Sequence, residues 1–273
     1  MVFTATHLSK PDLRSIKFSK SLIQLWLPVF TVVLLIFPSN LSTAALLFTT
    51  VMILAFIAHY PLRYLMTICG TGLTFVLLFF LLVKAFPGTF PNRIDTWVSR
   101  IENFRSGQSD DGNYQVARAK TAIVSGKVFG LGAGKSRMKN FLPQSSSDFI
   151  YAIIVEEFGL VGGIGLILLY LLLLFRIVVI THNSSNLFGK LMVIGLGIPI
   201  IFQAFINIGV ALQVLPVTGQ NLPMISSGGT SAWMTCIAMG IILSVSVKRE
   251  ISAEIQGKEG ISSNPISIFS ESH

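Results

Sequence analysis

The residues that could do chemistry cluster in GKVFGLGAGKSRMKNFLPQSSSDFIYAIIVEEFG, Gly126 to Gly159. Lys135, Arg137 and Lys139 stand at alternate positions, and a lone carboxylate, Asp148, follows three serines. An apolar stretch of membrane length starts at the next residue. A carboxylate at a membrane edge can take the proton of an attacking hydroxyl, and the cations ahead of it can stabilise an anionic leaving group. The pattern points to chemistry on an anionic substrate that itself resides in the membrane.

Each element of that pattern has a plainer reading. Gly126, Gly130, Gly132 and Gly134, interleaved with Lys127 and Lys135, can cradle a phosphate with backbone amides. The spacing is not that of a nucleotide loop, because Phe129 stands where GKS at 134–136 would need a glycine. Asp148 is also a favoured helix N-cap, and a cap can double as a base. Glu156 and Glu157 lie roughly 12 Å along a helix from Asp148, where a carboxylate must be paired or face a wet cavity. They are read either as partners of a loop Lys or Arg or as direct substrate contacts.

The elements that must position these groups are membrane spans. Of the 273 residues 52% are hydrophobic and 12% charged, about half the usual charge for a soluble domain. Six stretches approach the roughly 20 residues needed to cross a bilayer: 21–38, 42–60, 65–86, 149–180, 187–212 and 224–247. The expected fold is therefore an all-α polytopic membrane protein. A cytoplasmic segment 1–20, three spans within 21–86, a large extracytoplasmic loop 87–148, three spans within 149–247 and a polar, disordered cytoplasmic tail 248–273 make up the chain. Within the loop, residues 93–104 have apolar positions at helical spacing and predict an amphipathic helix, and a second helix is expected over 114–124. Cys69 and Cys236 fall in apolar stretches and read as core thiols rather than a disulfide.

Cations flank alternate connections (Lys20, Arg63, Arg176, Lys190, Lys248 and Arg249) and leave the FPSNLS and QVLPVTGQNLP connections uncharged. That asymmetry places both termini in the cytoplasm. The basic 87–148 loop then lies outside, where long loops escape the charge rule. The net charge of +8 suits lipid phosphates better than nucleic acid, since no basic aromatic face accompanies it.

Two long stretches, GLGAGKSRMKNFLPQSSSDFIYAIIVEEFGLVGG and INIGVALQVLPVTGQNLPMISSGGTSAWM, closely resemble the SEDS cell-wall polymerases (FtsW, RodA, SpoVE). In the second, Pro216, Thr218, Gly219, Leu222, Pro223, Ser226, Gly228, Gly229 and Ser231 fall on the family pattern. NLSTA at 40–44 resembles the family's DLGTA, with Asn40 where an acid often stands. FLPQSSSDFIY is closer to the division protein FtsW than to RodA.

The resemblance implies a peptidoglycan glycosyltransferase that polymerises lipid II, a disaccharide-pentapeptide on undecaprenyl pyrophosphate, during cell division. It places the family's essential carboxylate on Asp148, as general base for an inverting attack. Ser147 stands where the family often has Thr, and Ser146 where it often has His. Substrate contacts are expected from Lys135, Arg137, Lys139, Ser147, Glu156, Glu157, Ser226, Gly228 and Gly229. No protein metal site is expected, although a bound divalent ion (Mg or Mn) could assist the leaving pyrophosphate. The implied partners are lipid II, a class B penicillin-binding protein transpeptidase and other divisome membrane proteins, with no nucleic acid. The implied location is the bacterial inner membrane at the division septum. A lipid II flippase and an inactive scaffold that recruits the transpeptidase are the alternatives.

Family members usually have about ten spans, and this chain resembles the last six. Met1 falls in what would be an internal cytoplasmic loop. A late start, a broken gene or a second polypeptide supplying the front half would each explain that, and a cavity lacking one wall should hold substrate poorly.

Overall fold

The structure, a computed structural model, describes residues 1–10, 18–85, 111–142, 146–184 and 186–262. The amphipathic helix expected at 93–104 lies outside these residues. Within them the regular structure is helical. Helix α1 is Val2–Leu8, α2 Phe18–Ile36, α3 Leu41–Ile57, α4 Leu62–Ala85, α5 Asp111–Gly126, α6 Ile150–Asn183, α7 Leu187–Ala211 and α8 Gly229–Ser262.

Five of these, α2, α4, α6, α7 and α8, are long and apolar enough to cross a membrane. The span expected at 42–60 is α3, with 17 residues, or about 25 Å of helix against a hydrocarbon core of about 30 Å. Asn40 fixes its start, its Oδ1 accepting the Thr43 N–H at 3.1 Å, as an N-cap should. In α2 the turn Leu22–Trp26 is a π-helix. Pro28 follows it, and its ring would clash with the carbonyl four residues back, at Gln24, if the turn were regular.

Helix α7 is the hub. Of its apolar window 61% is buried, against 11% to 22% in the other four long spans. One cluster joins it to the N-terminal helices through Leu25, Trp26, Leu54 and Leu191. Another joins it to α6 and α8 through Tyr170, Ile201, Ala204 and Ile242. A third, Ala119, Ala122, Leu142, Phe149, Ala152, Ile153 and Val210, clamps α5 to the beginning of α6 and the end of α7. That third cluster carries the segment with the candidate acid.

Helix α1, in the segment ahead of the first span, buries Thr4, Ala5 and Leu8, because Ala5 and Leu8 share one helical face. Two expectations are corrected. The tail is not irregular from residue 248: the helix begun at Gly229 runs to Ser262, with no proline between Pro223 and Pro265 to stop it. Cys69 and Cys236 are free thiols, as expected, but both are exposed on helix surfaces rather than packed in the core.

Candidate active site

Residues 146–149 form a turn ahead of α6. Phe149 occupies the cap position (φ −115°, ψ 19°) without a side-chain cap bond. Asp148 is thus one residue too early to be the N-cap. The physical reason is Phe149 itself: its ring is buried in the α5–α6–α7 cluster, which fixes the turn and leaves Asp148 half-buried at its edge.

Three consecutive carbonyls hold this turn in place. Ser146 O accepts from Ser227 N at 2.8 Å and from Ser227 Oγ at 3.0 Å. Ser147 O accepts from Ser226 Oγ at 2.6 Å, and that hydroxyl oxygen itself accepts the Leu222 N–H at 2.7 Å. Asp148 O accepts from Asn207 Nδ2 at 2.8 Å. Asn207, on α7, also donates to Gln220 O at 2.7 Å. Gln220 Nε2 then reaches Thr43 Oγ1 at 2.9 Å, on α3. Four elements distant in sequence therefore converge behind one carboxylate. Gly219, at φ +68°, lies beside it: a Cβ there would stand 3.6 Å from Asp148 Oδ2.

The glycine-rich loop is built into a break in α6. Gly159 has φ 72° and ψ −171°, a conformation essentially reserved for glycine. The break frees carbonyls before it and N–H groups after it, and in a membrane these must be satisfied internally. The loop satisfies them. Leu131 N donates to Glu156 O at 3.0 Å and Gly132 N to Glu157 O at 2.9 Å, while Leu160 N donates to Lys127 O at 2.9 Å and Val161 N to Val128 O at 3.3 Å. The approach is so close that a Cβ on Gly126 would fall 2.0 Å from Val155 O, and one on Gly130 2.2 Å from Glu157 O. The N–H groups of Gly130, Leu131, Gly132 and Lys135 all bond protein carbonyls. The glycines thus serve backbone packing, and those amides do not form the phosphate cradle that the spacing allowed.

Lys135, Arg137 and Lys139 are exposed on the turn that follows. Glu156 is compensated otherwise than by the ion pair. It is fully buried, and its carboxylate accepts backbone N–H and serine O–H groups from the loop rather than a Lys or Arg side chain. Glu157 is half-buried, and its carbonyl takes part in the loop pairing. Ser147 and Ser226 are tied together as described, Gly228 packs beside Asn221, and Gly229 opens α8. The structure thus brings Asp148, Ser147 and Ser226 together, and separately joins Glu156 to the cationic turn.

The sequence pattern gives Asn207 and Gln220 no assigned role. A polar side chain inside an apolar span was the available signal. Asn207 Oδ1 and Thr218 Oγ1 are buried without a protein partner among the described residues. No group of three His, Cys, Asp or Glu gathers among those residues.

An α-helical bundle with a broken span, a basic loop threaded into the break and a half-buried carboxylate ahead of that span defines a multi-pass membrane protein with a candidate site at that carboxylate. Residues 1–251 match the family model of FtsW, RodA and SpoVE, described as "Cell cycle protein", and the chain belongs to that family. It is 35% identical over 258 residues to a Hydrogenovibrio crunogenus protein named "Probable peptidoglycan glycosyltransferase FtsW", covering 91% of this chain and 63% of that one. Against stage V sporulation protein E of Bacillus subtilis it is 31% identical over 253 residues, 90% of this chain and 65% of the other. The identity reaches 38% over 169 residues with a Xanthomonas oryzae pv. oryzae protein named like the first, but covers 60% of this chain and 33% of that protein. The chain therefore spans one to two thirds of the length of these relatives.

Among solved structures it is similar to a chain from work on structural coordination of polymerization and crosslinking by a peptidoglycan synthase complex. There the TM-score is 0.67 at 25% identity, covering 91% of this chain and 68% of that one. The rod shape determining protein RodA of Thermus thermophilus shares the fold, with a TM-score of 0.56 at 24% identity over 91% of this chain and 63% of that one.

Proposed function

We propose that the protein is a peptidoglycan glycosyltransferase that polymerises lipid II, with Asp148 as the general base. The observation that carries this reading is the setting of Asp148. Its carboxylate is partly accessible, while its backbone and that of the two preceding residues are locked by Asn207, Ser226 and Ser227. Rigid support of a half-exposed acid is what proton abstraction in a defined direction requires.

In the reaction the acceptor sugar hydroxyl loses its proton to Asp148 and its oxygen attacks the donor anomeric carbon. The bond from that carbon to the pyrophosphate oxygen breaks, and the lipid pyrophosphate leaves with the electron pair. A pyrophosphate is already a weak base, so it needs positive charge rather than an acid. Lys135, Arg137 and Lys139, exposed together on the loop, supply it. Lipid II carries an α-linked sugar and the glycan is β-linked, so a single in-line displacement with inversion suffices.

The same reading sets the protein in the bacterial cytoplasmic membrane at the septum, with both termini in the cytoplasm and a class B penicillin-binding protein as partner. Its support is the alternation of charged and uncharged connections and the similarity to a chain from a peptidoglycan synthase complex that coordinates polymerization and crosslinking. The test is reconstitution of the full-length protein with labelled lipid II. Glycan strands should form and vanish in Asp148→Asn; strands unaffected by that change refute the assignment. Transfer of lipid II between leaflets without polymer identifies a flippase, and neither activity identifies a scaffold.

A further inference from the structure

Glu156 is fully buried, and the bonds it receives come from the chain around the cationic turn and from Ser125 at the end of α5. Oε1 accepts from Arg137 N at 3.1 Å, Met138 N at 3.4 Å and Ser125 Oγ at 3.4 Å. Oε2 accepts from Ser136 Oγ at 2.5 Å and Met138 N at 3.4 Å. Ser136 Oγ in turn accepts from Lys139 N at 3.1 Å. The N–H groups of Arg137, Met138 and Lys139 are thus gathered by one carboxylate, two directly and one through a hydroxyl. They open the short 3₁₀ turn Met138–Asn140. Glu156 does for this turn, from another helix, what an N-cap does for its own.

The sequence explains why an outside anchor is needed. The run entering the turn, 126–134, contains four glycines, and glycine resists being held in one conformation. Of the turn's residues, Met138 packs against the α5–α6–α7 cluster, while Arg137 and Lys139 on either side of it stay exposed. Glu156 and Asp148 belong to the same piece of chain, eight residues apart ahead of the Gly159 break and roughly 12 Å along the helix. Whatever holds the turn to Glu156 therefore holds it in register with Asp148.

We propose that Glu156 is a positioning residue that fixes the Arg137–Lys139 turn relative to Asp148, so that cations and base engage one pyrophosphate-bearing substrate. This rests on the function proposed above. Glu156 touches no substrate; it acts through the backbone that carries the cations.

The test measures kcat/KM for glycan synthesis by the full-length reconstituted protein. Glu156→Gln keeps the side chain's size but offers one acceptor where two are used, and kcat/KM should fall about tenfold. In an Arg137→Gln, Lys139→Gln background the same change should cost less than about twofold, because the groups it positions are gone. An equal loss in both backgrounds, no loss from Glu156→Gln, or full activity of the doubly neutralised protein would overturn the proposal. Ser136→Ala, which removes one bond to Glu156 and with it the relay to Lys139 N, guards against a Glu156 variant that fails to fold. It should lose about threefold, again only where the cations are present. Affinity for vesicles carrying undecaprenyl pyrophosphate should fall with kcat/KM in both single variants, and unchanged affinity refutes the role assigned to the turn. Asp148→Asn separates the two claims. If it retains glycan synthesis the assignment of Asp148 as base is wrong, and absence of synthesis by the wild-type protein refutes the function itself. An inert Asp148→Asn with a fully active Glu156→Gln sinks only this inference.

Discussion

Asn207 Nδ2 lies 2.8 Å from the carbonyl oxygen of Asp148 and 2.7 Å from that of Gln220. One buried amide on the central helix thus joins the acid's backbone to the loop that precedes α8. Asn207→Leu leaves two buried carbonyls without that donor, at a cost of about 1–3 kcal/mol. Asn207→Asp is expected to be worse for activity, since it turns an acceptor toward both carbonyls. Thermal unfolding in detergent and glycan synthesis on the same preparations measure both effects. Wild-type activity in Asn207→Asp would show that the clamp does not govern the acid.

Glycine substitutions should separate close approach from backbone conformation. Gly134 has φ +75° with nothing within 4 Å of where a Cβ would stand, whereas Gly130 has φ +78° and a Cβ there would meet Glu157 O at 2.2 Å. Gly134→Ala should therefore cost only the left-handed penalty, about 1–2 kcal/mol. Gly130→Ala should displace the loop from the Gly159 break, seen as faster proteolysis between Lys127 and Lys139. Equal sensitivity of the two variants would argue against the threaded loop.

Ser226 and Ser227 hold adjacent carbonyls in different ways. Ser226 Oγ both donates to Ser147 O and accepts from Leu222 N, whereas Ser146 O also has the backbone N–H of Ser227. Ser226→Ala should lower stability by about 1–2 kcal/mol and slow polymerisation. Ser227→Ala, which leaves the backbone bond in place, should cost less in both assays. The reverse order would contradict this geometry.

Acid should weaken the docking of α1. Burial, and then the nearby charge of Lys10, hold His7 below its ordinary value of 6.5. The unfolded chain therefore binds the proton more readily, so this contribution is complete above about pH 6.5 and declines as the pH falls toward the lower folded value. His7→Gln should flatten that part of the stability–pH curve, followed by thermal unfolding between pH 7 and 5. An unchanged slope would show that His7 does not couple to folding.

The helical membrane class, the approximate spans and the lone acid beside a basic loop were legible in the chain because apolar length and charge are one-dimensional properties. So was the family, carried by the residues around Asp148 and Ser226. The second loop helix expected over 114–124 is found as α5, Asp111–Gly126. What the sequence could not assign were partners distant along the chain. GLGAGK at 130–135 looks alike whether its amides face a phosphate or the carbonyls of Glu156 and Glu157. Only the Gly159 break, which needs those amides, decides between them. Glu156 looked like half of an ion pair because a buried acid must be compensated, and its compensation came from backbone N–H groups that no side-chain pattern announces. Likewise Asn207 and Gln220, 59 and 72 residues beyond Asp148, reveal their part only when three helices and a loop meet behind it. Residue types set what chemistry was available, and the long-range backbone hydrogen bonds decided which residues touch the acid and which only hold it.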